Sequence, residues 1–168
     1  MSLANILKQV DIFFDLSHDQ LELIAAECQE RHCRAGEVIV EENTPGGELY
    51  IIVQGEVEIR VNPSLVSGEE AAPRSPVTIA NMGRGQSFGE IALVDQGLRT
   101  ATAYAAADPT LLLVIARDKL IGLCEAHPPL GYQLMRNLAA DLALKIRNTD
   151  LRIREQALTG RPSAGAIL

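Results

Sequence analysis

Residues 37–61, "EVIVEENTPGGELYIIVQGEVEIRV", decide the fold. Val57, Ile59 and Val61 alternate with Glu56, Glu58 and Arg60, the period of two expected of a strand with one buried face. Pro45-Gly46-Gly47 and Gln54-Gly55 break the stretch into short β-rich runs joined by turns. Further strands are predicted over residues 77–80, 100–106 and 111–115, with a Pro/Ser/Glu-rich surface loop over 62–76. Many short strands with turn signals between them predict an antiparallel sandwich or jelly roll.

Helical patterns flank this region. Residues 3–10 and 18–31 carry helical spacing, the second with Leu21, Ile24, Ala25 and Cys28 on one face and Ser17 as its N-cap. "RDKLIGLCEAH" (117–127) reads as one helix, and Pro128-Pro129 opens another that runs to about Leu158. In the latter, Met135, Leu138, Leu142, Ile146, Thr149, Ile153 and Ala157 are spaced 3, 4, 4, 3, 4, 4, an eleven-residue period close to that of a straight helix. The stripe fits two uses: packing on the β-roll, or continuing past it to pair with a second copy. The fold class is therefore mainly β with N-terminal helices and a long C-terminal helix.

A chain of 168 residues with 47% hydrophobic content can build one core without staples. Three cysteines and no N-terminal apolar run point away from a disulfide framework and from export, so the cytoplasm is the expected compartment. No uncharged apolar run is long enough to suggest a membrane span. Residues 1–72 carry fourteen acidic against four basic side chains, and residues 73–168 carry eight against eleven. The acidic front argues against DNA or an anionic membrane as partner. An anionic small molecule would need a locally basic pocket in the second half.

Residues 87–102, "SFGEIALVDQGLRTAT", supply such a place. Gly89 lets backbone approach a ligand closely, and "GEIAL" is long enough for one helical turn with N–H groups facing an anion. Arg99 offers a two-pronged fork for phosphate oxygens. Glu90 cannot hold a phosphate and would accept from a neutral group on the same ligand, for which a sugar hydroxyl fits. A ribose phosphate is the inference; the plain alternative is that Glu90 and Arg99 pair with each other across a turn.

At these residues the chain resembles the cyclic nucleotide-binding domains of catabolite-activator-like regulators, cyclic nucleotide-dependent kinases and gated channels. Phe88-Gly89-Glu90, Ala92-Leu93 and Arg99-Thr100-Ala101 match the phosphate-binding cassette of that family, and the likeness extends over about residues 3–155. The resemblance implies a double-stranded β-helix in which Glu90 takes the ribose 2'-hydroxyl and Arg99 the cyclic phosphate. Phe88, Gly89, Ile91, Ala92, Thr100 and Ala101 complete the implied ligand-binding set. Leu98 stands where the family often has proline, which implies a less rigid loop. A hydroxyl after the arginine meets guanine in similar domains, but Thr100 equally fits an ordinary strand residue, so cAMP is the expected ligand with cGMP open. The final helix of such domains closes over the base, and Lys145, Ile146 and Thr149 are the residues expected to make that contact. The resulting organisation is a helical segment (1–35), a β-roll (36–116) containing the cassette (87–102), hinge and lid helices (117–158) and a tail (159–168).

Other chemistries fit less well. Gly83, Gly85 and Gly89 imitate a dinucleotide fingerprint, but the spacing is wrong and no βαβ unit follows. His18, His32 and His127 fall in or beside expected helices, away from a barrel interior, and Cys28, His32 and Cys33 lack a fourth ligand. No metal, catalytic residue or catalytic cofactor is expected. After the long helix only "TGRPSAGAIL" remains, too short for a helix-turn-helix, so a homodimer through the helix or an unknown effector is the expected route of output. A docking module of the same fold with little or no nucleotide binding is the alternative.

Overall fold

The computed structural model describes residues 2–63, 75–95 and 97–159. Most of the loop expected over 62–76 and nearly all of the tail lie outside the described residues. The chain opens with α1 (Leu3–Leu7), a 3-10 turn (Asp11–Phe13) and α2 (His18–Ala26). Eight strands follow: β1 (Gln29–Cys33), β2 (Val38–Val40), β3 (Glu48–Gln54), β4 (Val57–Val61), β5 (Val77–Met82), β6 (Ser87–Phe88), β7 (Thr102–Ala105) and β8 (Thr110–Ala116). A single helical turn, α3 (Ile91–Val94), interrupts them, and α4 (Arg117–Ala126) and α5 (Pro128–Thr159) close the fold. The strands form two antiparallel four-stranded sheets, ordered β1-β8-β3-β6 and β2-β7-β4-β5. This is the expected mainly β jelly roll with flanking helices.

The burial of β3 and β8 explains why their sequences do not alternate. Leu49 and Ile51 of β3 and Leu113 and Ile115 of β8 face a core shared with Phe13, Leu21, Ile24, Leu120, Leu130 and Leu134 of the helices. Tyr50 and Ile52 of β3 and Leu112 of β8 face the space between the sheets, with Ile39, Val57, Phe88 and Ala103. Strands covered on both faces read as continuous apolar runs, as "LYIIV" and "LLLVI" do. Tyr50 and Phe88 stack with ring centroids 4.9 Å apart, fixing short β6 beside β3.

Two expectations need correction. Helical spacing over 18–31 overruns the helix, which ends at Ala26; Gln29–Cys33 pairs antiparallel with β8, from Gln29 opposite Val114 to Cys33 opposite Thr110. The expected helical segment over 1–35 thus contains a strand, and His32 lies on it. The cause is tertiary: β8 offers an open ladder edge that a short, weakly apolar segment fills. The start of α2 is as expected, since Ser17 Oγ accepts from Gln20 N–H while Gln20 Oε1 accepts from Ser17 N–H. The second correction is that β7 begins at Thr102, so Thr100 stands in the bend before the strand and not within it.

Candidate functional site

The segment after β6 leaves the sheet at Gly89, whose φ of +85° belongs to the left-handed region. Glu90 and the turn of α3 follow, as the sequence suggests. The far end of the segment is tied to the β2–β3 connection by Arg99 N–H donating to Thr44 O at 2.8 Å and Asn43 N–H donating to Arg99 O at 2.8 Å. Both ends of the cassette are therefore held by backbone, and the two charged side chains point into one cavity.

Arg99 is 6% exposed and Glu90 5% exposed. They do not pair with each other. Arg99 Nη2 donates to Glu48 Oε2 at 2.7 Å and Nη1 to Glu48 O at 3.1 Å, with the guanidinium carbon 5.5 Å from the centre of the Tyr50 ring. Two glycines make room for it: a Cβ at Gly46 would stand 2.6 Å from Arg99 Cζ, and one at Gly89 would stand 2.6 Å from Glu48 O. Glu90 Oε1 accepts from Lys145 Nζ of α5 at 2.7 Å, and the same ammonium reaches Asp141 Oδ2 at 2.9 Å. Burial works against the Lys145 charge, but Glu90 and Asp141 outweigh it and hold the ammonium above the usual lysine range.

Between these groups lies a cavity of about 200 Å³. Val40, Ile59, Ile79, Met82 and Ala103 give it apolar walls, and Glu90, Arg99, Thr100 and Lys145 give it polar ends. An apolar cleft with a few convergent polar groups is the usual form of a small-molecule site. Phe88, Gly89, Glu90, Ile91, Arg99, Thr100, Ala101 and Lys145 of the expected set all line it. The side chain of Ala92 lies outside what is described. Ile146 is 63% exposed and does not line the cavity, and the Thr149 hydroxyl donates back to Lys145 O at 2.9 Å. Of the three helix residues, only Lys145 reaches the cavity. Sequence reasoning missed Gly46, Glu48 and Tyr50, which read there as a turn and a strand. Their signal is spatial, since Glu48 meets Arg99 across 51 positions of chain.

Comparison with known proteins gives the same reading from outside. The family model for the cyclic nucleotide-binding domain matches residues 30–127. The cyclic AMP receptor protein of Thermus thermophilus is 31% identical over 147 residues, which cover 88% of this chain and 62% of that protein. Isozyme 1 of the cGMP-dependent protein kinase of Drosophila melanogaster is 33% identical over 126 residues, 73% of this chain and 16% of the kinase. The crystal structure of the Thermus thermophilus catabolite activator protein superposes with a TM-score of 0.72 at 28% identity, covering 88% of this chain and 63% of that one. The chain thus spans less than two thirds of the length of these relatives.

Proposed function

The chain belongs to the cyclic nucleotide-binding domain family, and from that membership we propose that it is a sensor module that binds cAMP, or in second place cGMP, and transmits binding through α5. Arg99 takes the cyclic phosphate, Glu90 the ribose 2'-hydroxyl, and Phe88, Gly89, Ile91, Thr100 and Ala101, which line the cavity, shape the site around them. Residues 29–116, which include β1, act as the binding roll and 117–158 as hinge and lid. The observation that carries this reading is that Glu90 and Arg99, both buried, open on one cavity and draw their partners from different elements. A site that separates an anion-binding fork from a hydroxyl acceptor suits a ribose phosphate and no simple anion. Binding without catalysis is the activity, in the cytoplasm, with output through a second copy paired along α5 or through an effector. No helix among the described residues is long and apolar enough to cross a membrane.

Calorimetric titration with cAMP and cGMP tests the proposal. The expected result is one saturable site per chain, tighter for cAMP. The second reading, a docking module, is favoured by one observation: Glu48 and Lys145 already satisfy Arg99 and Glu90 from within the chain. Absence of heat with both nucleotides would decide for it.

A further inference from the structure

The bond between Lys145 and Glu90 joins the long helix to the cassette across 55 positions of chain. Glu90 lies out of water, and a buried carboxylate needs a counter-charge. Arg99, the nearest cation in the cassette, is committed to Glu48. Lys145 therefore supplies the counter-charge, and its ammonium is itself fixed by Asp141, one turn earlier on α5. Its side chain is 24% exposed and that of Glu90 7%, so the pair is sheltered rather than lying on the surface.

A sugar hydroxyl is neutral. It can donate a hydrogen bond to Glu90 but cannot replace the charge, so a ligand that expelled Lys145 would leave the carboxylate buried without a cation. Glu90 meets Lys145 through Oε1. A carboxylate has two oxygens and about four acceptor positions, so Oε2 remains for a ligand while the ion pair stays formed. We infer that Lys145 is the positioning residue for Glu90: it fixes the carboxylate with one oxygen toward α5 and the other toward the ligand, so that reading the 2'-hydroxyl and seating α5 are one event. The inference rests on the ribose role of Glu90 proposed above, and assigns Lys145 to the carboxylate instead of the base.

The experiment measures dissociation constants for cAMP and 2'-deoxy-cAMP on the full chain and on its Lys145→Met and Lys145→Arg variants, each checked by thermal melting. In the parent, the hydroxyl bond to a charged acceptor should favour cAMP by about tenfold or more. Lys145→Met keeps the length of the stem but removes the charge, and the preference for cAMP over the 2'-deoxy analogue should fall to about twofold or less. Lys145→Arg should restore most of the preference. Equal weakening of both ligands, with the preference kept, would make Lys145 a plain lid contact and overturn the inference. Tighter binding of cAMP by the Met variant would overturn it too, because Lys145 would then be a competitor of the sugar. If Lys145→Met melts too early to be measured, a parental preference in Lys145→Arg supports the inference and loss of preference there overturns it. A parent that binds both nucleotides but shows no preference removes the ribose role of Glu90, and one that binds neither removes the proposed function; both differ visibly from a parent with a preference that the Met variant keeps.

Discussion

In the proposed site, the phosphate role of Arg99 draws on Glu48 and Tyr50, which already hold its guanidinium in place. The guanidinium carries five N–H donors, and the two that meet Glu48 leave the rest of the fork for an anion. Replacing Arg99 with Leu removes the fork and leaves the phosphate charge in a sheltered cavity without a partner. Loss of one member of such a pair costs about 2–5 kcal/mol, or at least about thirtyfold in affinity. Titration of Arg99→Leu with cAMP checks this; binding within a few-fold of the parent would show that the phosphate sits elsewhere. Glu90 and Arg99 could be picked out in the sequence because a charged residue in an apolar run is conspicuous locally. Glu48 could not, since an acid beside a Pro-Gly-Gly turn is what any exposed turn displays. Gly46 hid for the same reason: its purpose is the space beside Arg99, which only the folded chain creates.

At the scale of elements, α5 has two unlike halves. Leu130, Leu134 and Leu138 are sealed in the helical core, whereas Leu144, Ile146, Leu151 and Ile153 are each more than half exposed. The apolar stripe in the sequence leads away from the cavity in the second half, because the positions that face the body there are polar. Lys145 serves Glu90, and Arg152 Nη1 donates to Ile79 O at 3.4 Å. Hydrophobic periodicity therefore found the helix and its length but placed Ile146 one position away from the residue that reaches the site. The strands show a related limit: alternation marked β4, whereas two-residue β6 and weakly apolar β1 owe their existence to partners in other strands. The two halves of α5 should differ in stability. Leu134→Ala should cost about 2–5 kcal/mol in urea unfolding, as for other buried leucines. Leu151→Ala should change stability by no more than about 0.5 kcal/mol. A Leu151 cost equal to that of Leu134 would mean that the outer stripe is covered in solution, as pairing of two copies along α5 requires.

For the molecule as a whole, the question is which parts move together. The first turns of α5 are fastened to the N-terminal segment, where Asn137 Nδ2 donates to Phe14 O at 2.6 Å and to Ile12 O at 3.1 Å, and Leu130 and Leu134 sit in the common core. Beyond Leu138, Leu142 still packs on the edge of that core, and farther out the helix reaches the β-roll through the polar contacts of Lys145 and Arg152. Under the proposed lid role, the outer half of α5 comes and goes as the Lys145–Glu90 bond opens and closes, while the inner half stays packed. A ligand can bias that motion only through contacts made in one of the two positions, and Glu90 touches both the proposed sugar site and the helix. Saturating cAMP should therefore slow amide exchange over residues 138–153 together with residues 89–102. Residues 128–137, already held by the core, should change little. At a ligand concentration one hundred times the dissociation constant, linkage supplies about 2.7 kcal/mol, enough to slow exchange through the open state by about a hundredfold. Protection confined to the cassette would leave a pocket that binds without moving the helix, and the signal would then have to leave by another surface.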